Sequence, residues 1–372
     1  MLPAARWYAR LGALALAGAL GGCASTTGPG YYWQSVTGHL QVMKAARPVQ
    51  HWLDDPSTPD TLKTRLATAL RIRDFAATEL ALPDNASYRR YADLQRRAVV
   101  YNVTAAPALS LTLNTWCFPV VGCVGYRGYY AEADARAFAA SLPKDLDVAV
   151  YPVPAYSTLG WMNWLGGDPL LNTFIQYPEG ELARLIFHEL AHQVVYVKDD
   201  TMFNESYATA VERLGGERWL SERAKAAART EYEAFDARRR QFRALTLSVR
   251  QRLAAVYADP AQDTATGLAR KAEVMQAFRV EYEALKQQWG GFAGYDAWVA
   301  RANNATFATQ AAYDELVPGF EALFEREGRD FDRFHAAVRQ LGERPREERH
   351  AELKALSASR TAAIGNGPPT TP

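Results

Sequence analysis

Residues 179–208 read EGELARLIFHELAHQVVYVKDDTMFNESYA, and this stretch decides the fold. Apolar residues recur every three or four positions, which predicts a helix over 179–197. Positions i and i+4 share a helix face, so His188 and His192 can present two imidazoles to one metal ion. Glu189, beside the first histidine, is placed to take a proton from a water on that metal. The apolar run Leu185-Ile186-Phe187 suits a buried helix, the setting that fixes ligand geometry and limits water.

Two histidines do not complete a catalytic zinc site, which takes three protein ligands and one water. Asp199, Asp200, Glu205 and Glu212 follow closely, and position 198, where a third histidine would mark another zinc pattern, is lysine. Glu205 is the best third ligand. A turn at Lys198-Asp199-Asp200 followed by an antiparallel helix over 204–214 returns it to His188 and His192. Glu212, two turns on, supports the site or meets solvent. The expected cofactor is one Zn²⁺ per chain, whose water has its pKa lowered toward neutrality. With Glu189 as general base, the chemistry is amide hydrolysis without a covalent intermediate. No GxSxG nucleophile motif competes.

The set HELAHQ, residues 188–193, with Asn204-Glu205-Ser206-Tyr207-Ala208 resembles the gluzincin metallopeptidases, although only twelve residues separate His192 from Glu205, fewer than in those enzymes. The wider pattern is similar to a bacterial family of aminopeptidases. It includes Tyr156-Ser157-Thr158-Leu159-Gly160-Trp161, Asp168-Pro169, Asn303-Asn304-Ala305, Tyr313 and Val317-Pro318. The resemblance spans most of the chain and implies a zincin-like core acting on peptides. It also implies an upstream edge strand that holds substrate by strand addition. Residues 155–159, which overlap the candidate substrate segment Tyr156, Ser157, Thr158, Leu159 and Gly160, or residues 172–177, could serve, or be plain core strand. Tyr313 is the first candidate for stabilising the oxyanion, against a packed core tyrosine; Tyr207 is less suited. Exopeptidase and endopeptidase action both stay open.

The chain has 372 residues, 42 Lys+Arg against 41 Asp+Glu, and three cysteines. Without a basic excess, nucleic acid is not an expected partner. Arg6 and Arg10 precede the apolar run LGALALAGAL at 11–20, too short to span a bilayer but suited to a secretory signal. Leu20-Gly21-Gly22-Cys23 resembles a bacterial lipobox, which implies lipidation of Cys23 and a membrane anchor. Ser25 is not the aspartate that signals inner-membrane retention, so the expected location is the periplasmic face of a Gram-negative outer membrane. Removing 22 of the 372 residues leaves 350, and losing Arg6 and Arg10 takes the net charge from +1 to −1. Cys117 and Cys123 remain, and an oxidising compartment favours a local disulfide over zinc ligation.

The predicted class is α+β, predominantly helical. The expected organisation is a signal peptide at 1–22, a tether at 23–37, an N-terminal helical part and catalytic core at 38–216, a helical region at 217–356, and a disordered tail from 357. Helices are predicted over 38–55, 58–82, 87–100, 132–141, 303–326 and 328–341, and a strand over 146–153. Two stripes, Phe235 to Val256 and Leu268 to Trp289, predict an antiparallel helical hairpin. This hairpin could be a lid or a docking arm for a protein partner. The competing functions are a non-catalytic envelope scaffold and a protein with a structural zinc site.

Overall fold

The computed structural model describes residues 28–118, 122–155, 157–160, 166–259, 261, 263–312 and 315–365. The signal peptide, Cys23, Tyr156 and Tyr313 lie outside the described residues. The architecture is α+β and predominantly helical. In order, the elements are α1 (Pro29–Ala45), β1 (Arg47–Pro48), α2 (Val49–Asp54), α3 (Asp60–Glu79), β2 (Arg90–Ala92), β3 (Val100–Pro107), β4 (Trp116–Phe118), β5 (Gly122–Val124), β6 (Arg127–Tyr129), α4 (Glu132–Ser141), β7 (Leu146–Val153) and β8 (Leu170–Leu171). Then follow α5 (Glu179–Ala191), α6 (Thr201–Glu222), α7 (Ala226–Tyr257), α8 (Thr264–Gln288), α9 (Asp296–Arg301), α10 (Asn304–Ala312), α11 (Val317–Arg326), α12 (Phe331–Gly342) and α13 (Arg346–Gly365).

Helix α5 runs through the main core. Leu182, Ala183, Ile186, Phe187, Leu190 and Ala191 are all fully buried, as its periodicity requires. Phe75 of α3, Trp219 of α6 and Phe320 of α11 belong to the same cluster. Helix α6 lies against α5, and two glycines permit the approach: a Cβ at Gly215 would stand 3.0 Å from the Phe187 ring, and one at Gly216 would stand 2.8 Å from Arg184 Cγ. Strands β6, β3 and β7 form an antiparallel sheet in that order, so β7 is an edge strand. Helices α7 and α8 make the expected hairpin, with Phe242, Val249, Leu253, Met275, Phe278 and Tyr282 in its seam. Leu268, expected in that seam, is exposed.

Four expectations are corrected. The tether at 23–37 gives way to helix from Pro29, because Tyr31 stacks on Phe118 at 5.5 Å and sits under the Arg127 guanidinium at 4.2 Å. The helix at 87–100 is absent. The buried Arg73 donates to the carbonyls of Pro83, Asn85 and Ser87, which folds the chain into a turn before β2. The disordered tail from 357 is helix α13 through Gly365, with Leu353 buried in the main core. The division at 216/217 falls inside α6, and Phe320, Phe334 and Leu353 return to the core built around α5.

Candidate metal centre

Pro178 starts α5, and Glu179 and Glu181 occupy its first turn, where carboxylates favour the helix dipole. The helix stops at Ala191, and the chain turns back through a loop that one side chain organises. Asn204 accepts from the Val197 N–H at 2.7 Å and donates to the Val197 carbonyl at 2.7 Å. Asp200 caps α6 by accepting from the Phe203 N–H at 3.2 Å. Asp200 also binds Arg349 and His350 of α13, each at 2.8 Å, so it belongs to the loop rather than the metal site. Asp199 accepts from the Cys123 N–H at 2.7 Å, tying the disulfide hairpin to the same loop. Cys117 and Cys123 are disulfide-bonded across β4 and β5.

These elements bring His188, His192 and Glu205 together. His188 Nε2 lies 3.3 Å from His192 Nε2 and 3.3 Å from Glu205 Oε2, and His192 Nε2 lies 3.6 Å from Glu205 Oε2. A tetrahedral zinc with donors at about 2.0–2.1 Å has edges of about 3.3–3.4 Å, so the three atoms sit as one face of that polyhedron. His188 Nδ1 donates to Glu212 at 3.0 Å, and its Nε2 faces a carboxylate and a second imidazole. Such a triangle of donors is complementary to a cation. Burial alone would lower the His188 pKa, yet Glu205 and Glu212 hold it well above the usual histidine range. Glu205 is likewise held down at about 2 despite burial, chiefly by His192 and His188.

Behind His188, Glu212 is gripped by Arg184, one turn earlier on α5. The buried Arg184 also donates to Tyr232 of α7 at 3.1 Å and faces Asp236 at 3.6 Å. Arg239 on α7 binds Glu181 of α5 at 2.8 Å. The ligand helix and the hairpin thus share one charged network. At the other end, Gln193 donates to Ser87 at 3.2 Å and accepts from Asn85 at 2.8 Å.

Glu189 lines a cleft of about 1340 Å³ with His188, Glu212, Tyr151 and Pro152 of β7, and Phe242 and Trp298 beside the hairpin. Burial raises the Glu189 pKa against the opposing pull of His188 and His192. Residues 157–160 form a turn rather than the edge strand expected there, with positive φ at Leu159 and Gly160. Ser157 Oγ donates to the Glu189 carbonyl at 3.4 Å, and the Thr158 N–H donates to Asp168 at 3.0 Å. Residues 172–177 are a turn as well. Asn172 and Thr173 there bond to the backbone of Leu94, Arg96 and Pro154. The edge strand at the cleft is β7. The Val148 carbonyl turns away from β3 to accept from Asn303 at 2.9 Å, so by alternation Val150 N–H and C=O face the same way.

Tyr207 donates to His335 Nδ1 at 2.8 Å in the core, outside the group of His188, His192 and Glu205. Asn304 binds the carbonyls of Pro107 and Ala108 and the Tyr257 hydroxyl, joining sheet to hairpin. Sequence reasoning missed Arg184 and three tyrosines. Burial raises the hydroxyl pKa of Tyr126, and the charges of Glu205 and Glu189 push it further. Tyr151 and Tyr196 are raised to about 12 by burial, with Glu205 adding to each. An arginine on the buried face of an apolar helix was the available signal for Arg184, because it requires a carboxylate partner. Nothing in the spacing of the tyrosines marked them.

Residues 30–353 match the family described as "Putative aminopeptidase", and the chain belongs to that family. The match covers the metal-centre helices, the edge strand and the hairpin, and it gives the chain the coarse class of a peptidase. No curated protein and no solved structure matches it.

Proposed function

We infer that the protein is a zinc-dependent aminopeptidase. The observation that carries this reading is the triangle of donor atoms at 3.3, 3.3 and 3.6 Å, with Glu189 beside it in a large cleft. Three protein donors gather among the described residues, whereas a structural zinc takes four, which favours catalysis over a structural site. His188, His192 and Glu205 would hold the ion. When bound, it supplies Lewis acidity toward a substrate carbonyl and acidifies a coordinated water.

The chain's own residues do the rest. Glu189 takes the proton of the attacking water and delivers it to the leaving amine. Glu212, clamped by Arg184, keeps the His188 proton on Nδ1 and its Nε2 lone pair forward. Tyr126, a buried hydroxyl that feels the charges of both Glu205 and Glu189, is the candidate to donate to the developing oxyanion, in the role expected of Tyr313. An extended peptide pairs with Val150 on the open edge of β7. Glu217, which lines the same cleft, is a carboxylate available to a free α-amino group. The Leu20-Gly21-Gly22-Cys23 motif supports a lipid anchor at Cys23 and a site of action in the cell envelope.

Metal analysis joined to a peptide-library assay tests this reading. Glu189→Gln should keep about one zinc per chain and lose hydrolysis by about 10²–10⁴-fold. A Glu189→Gln protein that cleaves like wild type, or a His188→Ala protein that retains full zinc, overturns it.

A further inference from the structure

Helix α1 has two unlike faces. Its inner face packs through Tyr31 against Phe118 and Arg127, and Val42 is fully buried. Its outer face carries Trp33, Val36 and Leu40, which are 72%, 56% and 50% exposed. These residues fall at i, i+3 and i+7, so they form one stripe along the helix. Lys44, four positions past Leu40 on the same line, is the basic residue of the last turn, and the helix contains no acidic residue. Arg47 follows and is exposed.

We propose that this stripe docks on the lipid bilayer and holds the catalytic body against the membrane surface. The proposal rests on lipidation of Cys23. Six residue steps separate Cys23 from Pro29, where the helix begins. Fully extended, they reach only about 20 Å, so the apolar stripe cannot leave the neighbourhood of the bilayer. Trp33 suits the headgroup boundary, and Lys44 and Arg47 complement anionic lipid. No described helix is long and apolar enough to cross a membrane. The geometry is therefore that of a helix lying on the surface.

The test uses the full lipid-anchored chain reconstituted into phosphatidylethanolamine–phosphatidylglycerol vesicles. Cys117 and Cys123 are bonded to each other, so after acylation of Cys23 an introduced cysteine is the only thiol left to label. An environment-sensitive fluorophore is attached at Val36→Cys and, in a second protein, at Val280→Cys on the hairpin, where the native residue is 61% exposed. Nitroxide lipids labelled near the headgroup should quench the probe at 36 several-fold more than the probe at 280. Trp33→Glu with Leu40→Glu should abolish that difference and leave cleavage of soluble peptides unchanged. Equal quenching at the two positions overturns the docking. So does a blue-shifted probe at 36 that lipid nitroxides do not reach, which marks a protein occupant. Mass spectrometry of the processed N-terminus reads the anchor separately. Acylated Cys23 with an unquenched probe overturns docking alone, and unacylated Cys23 overturns both.

Discussion

Helices α5 and α6 and helices α7 and α8 are two antiparallel pairs, adjacent in sequence, with opposite interiors. The first pair buries charge beside its apolar contacts: Arg184, His188, His192, Glu205 and Glu212 meet between the helices in a chain of ion pairs. The second pair buries Phe242, Met275, Phe278 and Tyr282, and its ion pair between Arg252 and Glu281 stands at the surface. A greasy seam tolerates approximate geometry, because burial is non-directional. A charged interior stands only if every partner is in place, because an orphaned buried charge is costly. The hairpin is thus the cheaper helix pair, and α5 with α6 is the pair constrained by chemistry.

The contrast can be broken by experiment. Phe278→Ala should cost about 4 kcal/mol of stability, the loss expected for a buried phenylalanine, and leave zinc affinity within twofold. Denaturant melts and metal competition read the two quantities. A large drop in zinc affinity would show that the two pairs are not separate in function. Glu212→Ala should cost about 3 kcal/mol by stranding Arg184 and weaken zinc about 10–100-fold by freeing His188. Unchanged zinc affinity there would remove Glu212 from the metal centre.

A smaller effect comes from pH. His335 donates through Nε2 to the Leu80 carbonyl at 2.9 Å and meets Tyr207 of α6 through Nδ1. Burial pushes its pKa down to about 4. The unfolded chain therefore takes up the proton first as pH falls, and stability is lost between about pH 6.5 and 4. At pH 5 the loss is about 2 kcal/mol. The opposite slope comes from the buried Asp168, whose pKa is raised to about 6, so its contribution is lost as pH rises. Wild type should lose about 2 kcal/mol more than His335→Gln on going from pH 7.5 to 5. Equal losses in the two proteins would mean that His335 is protonated in the native state at pH 5.

Much of the scaffold was legible where one local signal ruled. The bounds of α4 and β7 and the two arms of the hairpin follow from periodicity. Helices α5 and α6 were readable because His188 and His192 fall on one helix face and Glu205 follows after a short turn. Local pattern failed where a distant side chain decided the backbone. Arg73 drew residues 83–87 into a turn, and Arg127 held Tyr31 in a helix where a tether was expected. An edge strand was expected at 155–159 or 172–177, whereas the sheet order makes β7 an edge. Tyr126 comes under the charges of Glu205 and Glu189 through topology alone, which no spacing encodes.

His188, His192 and Glu205 lie within eighteen consecutive residues, and Asn204 fastens the loop between them to itself. Ordering the donor set costs the closure of one short loop rather than the meeting of distant chain segments. In folding terms it is a site of low contact order. The donor set is complete within α5 and α6 and draws on neither the hairpin nor α11 to α13. On the zinc reading proposed above, closing that one loop would complete the ligand set, so an ion held there would stabilise the fold as well as serve the reaction.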